Sequence, residues 1–319
     1  MRGRLPGRDG KCRSRNLERR LLPHEIRESG RWPPAAGPTM SRMRTEGLAA
    51  SDRRASGAGR PLTQRRAGFR AALRSEFTKI RTVRSTYWTL VALFVITVLI
   101  GVFACVLTGP GQAGPGYDPT YISLEGFTFG QLVIAVLGVL TITSEYSTGM
   151  IQMSLAVQPR RGTVFAAKAA AFTLVALAAG LTTSFISFLL GQAILDKHGL
   201  GTSLGQPHVL RAVIGAALFL AVGGLPALGL GAVIRYTAGA ITAAITVLFM
   251  TLILQAFLPA TLQPSVDRWI PLNAGSQIWS TASDPSAHLF SPWAGFAVFT
   301  LYAAITLAAG RMVFLRRDA

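Results

Sequence analysis

Charged residues are scarce in this chain of 319 residues, of which 14% are charged and 50% are hydrophobic. Soluble domains usually carry about 25% charged residues, so the composition argues against an ordinary globular protein. Acidic residues are the rarer kind, 14 against 32 Lys and Arg, and the formal net charge is +18. Residues 1–86 hold 22 of the 32 basic residues. Because most of the basic residues lie in the N-terminal quarter, we expect no nucleic-acid partner.

Motifs of several enzyme classes are missing from the sequence. The two cysteines, Cys12 and Cys105, lie in different surroundings and have neither disulfide nor metal-site spacing. The sequence has no H-E-x-x-H pattern, no G-x-x-x-x-G-K-[ST] loop and no Asn-x-Ser/Thr site. We therefore expect no catalytic residue, no metal site and no cofactor in this chain, and any ATP would have to bind to another subunit.

Charge-free stretches occupy most of the chain after residue 87. A helix needs about 20 residues to cross a hydrocarbon core of about 30 Å, and each stretch is long enough. The pattern predicts an all-α polytopic membrane protein with six transmembrane helices and an N-terminal interfacial amphipathic helix. The six stretches are Trp88–Leu107, Gly126–Ser144, Ala169–Leu195, Ala212–Ile234, Tyr236–Val266 and Leu289–Gly310.

The connecting segments carry unequal numbers of basic residues, which predicts an orientation. If both termini are cytoplasmic, the inner segments after residue 64 hold fourteen Lys and Arg and the outer ones hold three, namely Lys197, Arg211 and Arg268. This distribution follows the positive-inside rule. The last outer segment, Pro259–Pro292, contains short apolar pairs that suit either re-entrant or interfacial helices.

The N-terminal 86 residues divide into two regions. Residues 1–64 are rich in Arg, Gly, Pro and Ser and predict a disordered basic tail, or alternatively a start codon placed too far upstream. A polybasic patch for anionic lipid or RNA is the other interpretation of these residues. Residues 65–86 place Phe69, Leu73, Phe77 and Ile80 on one helical face, beside a stripe of arginines. This pattern favours a helix in the membrane interface, while a basic face packed on protein is the alternative.

Ionisable residues are absent from the cores of the predicted spans. Lys168 lies near the cytoplasmic end of the third span, and we expect it to snorkel toward water. Ion-coupled transporters generally place ionisable residues inside the membrane, so any transport by this chain would take its energy from elsewhere. A soluble motor protein is the expected source.

The segment between the second and third spans is the expected contact surface for such a motor. It combines Glu145 and Tyr146 with apolar residues such as Met150 and Met153, which would be exposed to the cytosol unless a partner covers them. The alternative is an amphipathic segment that rests on lipid headgroups.

Several short motifs resemble the permease subunits of the ABC-2 type exporter family. They are L-R-S-E-F-T-K-I-R-T at Leu73–Thr82, S-E-Y-S-T-G-M-I at Ser144–Ile151, P-R-R at Pro159–Arg161, and Lys168. The resemblance runs from about residue 65 to the C-terminus. It implies an interfacial elbow helix over 65–86, a six-span transmembrane domain over 87–319, and a coupling helix that meets a separate ABC ATPase subunit. It further implies that the coupling element consists of Glu145, Tyr146, Thr148, Gly149, Met150, Arg160 and Arg161. Gln152 departs from the arginine that is frequent in such permeases.

The fourth span contains a Gly223-Gly224-Leu225-Pro226 run near its middle. Small residues permit close packing of helices, which is the simpler interpretation. The proline also permits a kink, so Gly223, Gly224 and Pro226 are candidates for a hinge.

Together these features predict the permease half of an ATP-driven exporter in a bacterial cell membrane. It would form a homodimer or pair with a second permease, contact membrane lipids, and move an amphipathic or lipid-like substrate. A membrane scaffold without transport activity is one alternative. A lipid-modifying enzyme is the other, with Asp196, His198 and His208 as its candidate residues.

Overall fold

The computed structural model describes residues 68–316, apart from 110, 112, 113, 115, 158, 159, 258, 260, 261 and 283–288. The predicted basic tail, residues 1–64, lies outside the described residues, as do the first three residues of the predicted elbow.

The described part of the chain is built of helices, and it contains no strand. Three short 3₁₀ turns, Asp196–His198, Asp267–Trp269 and Gln277–Trp279, supplement the α-helices. The α-helices are α1 (Phe69–Thr82), α2 (Arg84–Leu107), α3 (Pro119–Leu124), α4 (Gly126–Ser147), α5 (Met150–Val157), α6 (Arg161–Leu195), α7 (Val209–Gly223), α8 (Leu225–Ile234), α9 (Thr237–Phe257), α10 (Gln263–Val266), α11 (Pro271–Ser276) and α12 (Pro292–Arg316).

Five described helical segments are long and apolar enough to cross a membrane. The prediction of an all-α, multi-pass membrane protein is thereby confirmed. A further apolar helix, α9, has 21 residues. Its apolar part Thr237–Met250 is too short to count as a span by the same criterion. The number of six spans therefore stays a prediction. The five segments are Arg84–Leu107, Pro119–Ser147, Arg161–His198, Val209–Ile234 and Pro292–Arg316.

Helix α1 is separated from α2 by Val83, whose backbone is extended with φ −82° and ψ 118°. One side of α1 buries Ala72 and Glu76 as the helix packs on α6. Phe69 and Phe77 nevertheless remain exposed, at 45% and 42%. The predicted helix therefore packs on the protein and still offers two aromatic rings that suit a membrane interface.

Aromatic rings form the centre of the core. Phe219 of α7 stacks on Phe299 of α12 with ring centroids 4.8 Å apart, and it meets Trp279 edge-on at 4.6 Å. Trp279 belongs to the 3₁₀ turn after α11 and is completely buried. Within the Pro259–Pro292 segment, α11 and the 3₁₀ turn that follows it thus pack against α7 and α12.

Asp118 holds this returning segment in place. Its carboxylate caps the N-terminus of α3 and also accepts hydrogen bonds from the backbone N–H and the hydroxyl of Thr281, at 2.5 and 2.6 Å. Arg211 of α7 donates to the carbonyl of Ser280 at 2.6 Å. These contacts fix residues 280–282 against the starts of α3 and α7.

Candidate functional site

The turn between α4 and α5 contains five of the residues that the sequence predicts as a coupling element. Glu145 and Tyr146 lie in the last turn of α4, and Thr148 follows as its C-cap, with its hydroxyl donating to the carbonyl of Ser144 at 2.8 Å. Gly149 has φ +70°, a left-handed conformation that glycine adopts without strain. The chain can therefore reverse here and begin α5 at Met150.

Helix α5 has one buried side and one exposed side. Ile151 is buried in the hydrophobic core, whereas Met150 is 45% exposed and Met153 is 72% exposed. Methionine is flexible and polarizable, and it is frequent at adaptable binding surfaces. The exposed side of α5 therefore has the character of a protein contact surface.

Four charged side chains meet beneath this turn, and we call Glu76, Lys79, Glu145 and Lys168 the ion cluster. Lys168 Nζ donates to Glu145 Oε1 at 2.5 Å and to Glu76 Oε2 at 2.7 Å. Lys79 Nζ donates to Glu76 Oε1 at 2.8 Å and to Glu145 Oε1 at 2.9 Å. Two cations and two anions thus balance, and they join α1, α4 and α6 at one end of the bundle.

The two carboxylates of the cluster offset the energetic cost of burying the ammonium group of Lys168. Lys168 is 0% exposed, and an unpaired ammonium in such a place is strongly unfavourable. Removing one partner of a buried ion pair typically costs about 3–5 kcal/mol, because the remaining charge stays buried. Each carboxylate of the cluster is therefore expected to be structurally important.

Lys79 extends the cluster to α5, because its Nζ also donates to the hydroxyl of Ser154 at 3.2 Å. Burial lowers the pKa of Lys79, but the hydrogen bonds to Glu76 and Glu145 outweigh burial and hold the pKa above its ordinary value. Lys79 is thus a cation at physiological pH, and it ties the exposed helix to the membrane-spanning ones.

Tyr146 connects the same turn to α8. The guanidinium carbon of Arg235 lies 5.0 Å from the centroid of the Tyr146 ring, a cation–π geometry. Arg235 ends α8 in a left-handed conformation with φ 61°, and its backbone N–H donates to the carbonyl of Gly231. The end of α8 is thereby fastened to the end of α4.

Arg160 and Arg161 lie at the far end of α5, where the chain enters α6. Arg160 is exposed and precedes the helix as its N-cap, and Arg161 is the first helical residue. The two arginines and the α4–α5 turn thus flank α5 on both sides.

The expected snorkelling of Lys168 is wrong. Its side chain is completely buried and points to Glu76 and Glu145 instead of reaching water. Sequence reasoning also missed Glu76 and Lys79 as site residues. A signal was present, since Glu76 is the only acidic residue in 65–86 and Lys168 is the only charged residue between Arg161 and Asp196.

The candidate hinge residues lie where α7 ends and α8 begins. A Cβ atom at Gly224 would overlap the ring of Phe172, and one at Gly223 would lie 3.3 Å from the ring of Phe299. These glycines therefore serve close packing. Pro226, at the second position of α8, has no N–H to donate to a carbonyl of α7, so the two helices are not joined by a backbone hydrogen bond at that position. Close packing and this break coincide, and the hinge stays a hypothesis.

A cavity of about 490 Å³ opens beside this junction. Its walls come from α4, α7, α8, α9, α11 and α12, and most of the lining side chains are apolar. Gly223 and Pro226 both line it. The polar lining residues at this end of the cavity are Glu125, which precedes α4 as its N-cap, and Thr128 and Gln131 of α4.

The residues suggested for a lipid-modifying enzyme do not form a site. Asp196, His198 and His208 are all exposed, and the described residues include no hydrogen bond that joins them. Nor do the described residues contain a group of three or more His, Cys, Asp or Glu side chains able to hold a metal ion.

The chain matches a model of a known protein family. The family model described as "ABC-2 family transporter protein" matches residues 72–264. The matched range is more than half of the chain, and it includes the ion cluster, α5, the α7–α8 junction and most of the cavity. A search of curated proteins found no match.

Proposed function

Because the chain belongs to the ABC-2 family of transporter proteins, we propose that it is the membrane-spanning permease subunit of an ATP-driven exporter. ATP hydrolysis takes place on a separate ABC ATPase subunit, and this chain moves an amphipathic or lipid-like substrate. The observation that carries the proposal is the attachment of α5, with its exposed methionines, to the spans through a buried ion cluster.

In this proposal α5 is the coupling helix. A movement of the ATPase displaces Met150 and Met153, and the displacement reaches the spans because α5 cannot move independently of them. Lys79 transmits it from Ser154 to α1 and α4. Tyr146 and Arg235 transmit it from α4 to α8, next to the candidate hinge.

The proposed location is a bacterial cytoplasmic membrane, with both termini and α5 on the cytoplasmic side. Positive charges support this orientation, because the contact of Arg235 with Tyr146 brings a further arginine to the end of the bundle that carries the ion cluster. The end of α12 also lies there, since a Cβ at Gly162 would be 3.5 Å from the guanidinium of Arg311.

A complete transporter would contain two such permease units, either two copies of this chain or this chain with a second permease. Large apolar side chains are exposed on the outside of the helices, where lipid or a second subunit would cover them. Leu99 and Phe103 of α2 and Ile305 of α12 are each more than half exposed.

The proposal is tested by placing a charge on the exposed side of α5. Met153→Glu should abolish stimulation of the ATPase by the permease, because an unpaired carboxylate would be buried in the contact. The matched control is Leu204→Glu, which changes an apolar side chain that is 37% exposed in the loop between α6 and α7. ATP hydrolysis by the purified complex, and membrane insertion of both variants, are measured.

Normal coupling in the Met153→Glu variant would contradict the assignment of α5. If the complex hydrolyses ATP without moving any amphipathic compound, the scaffold hypothesis would be favoured. Glu145 is a poor choice for this test, because its loss would leave Lys168 buried with one carboxylate fewer and would disturb the fold.

A further inference from the structure

The cavity beside the α7–α8 junction contains a single charge. Of its twenty lining residues none is Lys, Arg or His, and Glu125 is the only ionisable carboxylate. Glu125 lies at the start of α4, and its side chain is exposed. No described residue forms an ion pair or a hydrogen bond with this carboxylate.

A polar stripe leads from Glu125 into the cavity. Thr128 and Gln131 follow at intervals of three residues, so the three side chains lie near one another on one side of α4. With a rise of 1.5 Å per residue, the level of Gln131 is about 9 Å from that of Glu125.

Gln131 is the strongest indication of a ligand. Its side chain is 4% exposed and lines the cavity, and its amide forms no hydrogen bond with a described residue. The amide oxygen and nitrogen are therefore free to accept from and donate to a molecule bound in the cavity. A Cβ at Gly223 would lie 3.4 Å from the Gln131 amide nitrogen, so the amide lies against the α7–α8 junction.

Apart from Tyr302 and Thr306 of α12, the remainder of the wall is apolar. Leu132 of α4, Leu248 of α9, Leu272 of α11 and Phe299 of α12 lie around the stripe. Binding sites for small molecules commonly combine an apolar cavity of about 300–1,000 Å³ with a few convergent polar groups, and this cavity fits that description.

We propose that this cavity binds an amphipathic organic cation, with the positive group at Glu125, a polar substituent at Gln131 and the apolar body against α9 and α12. A cation is favoured because the only charge of the lining is negative and has no partner in the described part of the chain. An anion would meet repulsion from Glu125, and a neutral lipid would leave the carboxylate unused. The inference deepens the proposed export function by naming a substrate class, and it rests on that function.

Tetraphenylphosphonium is a suitable probe, because it joins a permanent positive charge to a large apolar body. Its equilibrium binding is measured on the full chain in nanodiscs of zwitterionic lipid, without ATPase or ATP. Triphenylphosphine oxide serves as a neutral ligand of similar shape. The variants are Glu125→Gln and Gln131→Leu, with Asp196→Asn as the control for loss of an exposed carboxylate outside the cavity.

We expect saturable binding of tetraphenylphosphonium that weakens about tenfold in Glu125→Gln, which corresponds to about 1.4 kcal/mol. Gln131→Leu should leave it unchanged, because tetraphenylphosphonium has no polar substituent for the amide to bind, and Asp196→Asn should also leave it unchanged. Triphenylphosphine oxide should bind equally to the native chain and to Glu125→Gln. Equal affinity of the cation for the native chain and Glu125→Gln, or no saturable binding at all, would overturn the inference.

The outcome is separable from that of the proposed function. Since binding is measured on the permease alone, a complex that fails to couple ATP hydrolysis leaves the binding result intact. Conversely, a complex that couples normally but binds the cation without dependence on Glu125 would overturn only the substrate class.

Discussion

Replacing Glu145 by glutamine is expected to destabilise the protein through the ion cluster. The change removes the negative charge of the carboxylate whose Oε1 lies 2.5 Å from Lys168 Nζ and 2.9 Å from Lys79 Nζ, and it leaves two cations for one carboxylate. The usual loss for breaking a buried pair is about 3–5 kcal/mol. We expect a loss of about 3 kcal/mol, at the lower end of that range, because Glu76 Oε2 still accepts from Lys168 at 2.7 Å.

A second variant separates the ion pair from general damage to the fold. In Glu145→Gln with Lys168→Met the buried ammonium is gone, and Glu76 still pairs with Lys79 at 2.8 Å. The double variant should therefore be no less stable than Glu145→Gln alone, although it carries one more substitution. Directly interacting residues typically show such non-additivity of about 0.5–3 kcal/mol.

The assay is reversible unfolding in mixed micelles with increasing SDS, followed by tryptophan fluorescence. Asp196→Asn serves as a control, since it removes an exposed carboxylate. The reasoning would be refuted if Glu145→Gln lost less than about 1 kcal/mol. It would also be refuted if the double variant lost the sum of the two single losses.

The remaining predictions concern the turn and the junction. Gly149→Ala should cost about 1–2 kcal/mol in the same unfolding assay, because a Cβ is disfavoured at φ +70° although it would meet no atom within 4 Å; a stability unchanged from native would contradict it. Gly224→Ala should lower the free energy of unfolding by about 1–3 kcal/mol, because the added methyl group would overlap the ring of Phe172. The loss should be smaller in a Gly68→Ala control, where a Cβ would meet no atom within 4 Å. Pro226→Ala restores a backbone donor in α8, so transport by the complex should slow if the junction bends during the cycle; an unchanged transport rate would rule out the hinge.

Much of the architecture could be predicted from the sequence because a membrane imposes a simple rule. A charge-free stretch of about 20 residues leaves few alternatives to a helix, so the helices of the spans follow from composition. Their ends were less predictable. The third span begins at Arg161, eight residues before the charge-free stretch at Ala169, because Lys168 is neutralised by partners that lie in other helices.

The site was predicted only where its residues are consecutive. Glu145 to Met150 form one turn, which a local motif can reveal. Lys168 lies 23 residues from Glu145 and 92 from Glu76 in the sequence, so their pairing depends on tertiary packing. The cavity likewise depends on how six helices meet, and no local pattern encodes it.

The central claim is that α5 is the surface that contacts the ATPase, and site-specific cross-linking tests it most directly. Met153→Cys and Leu204→Cys are compared in the intact complex with a short bifunctional reagent, in a background where Cys12 and Cys105 are replaced by serine and alanine. The account predicts a cross-link to the ATPase subunit at position 153 and none at position 204. A complex that remains assembled and active but shows no cross-link at 153, or shows equal cross-linking at both positions, would contradict it.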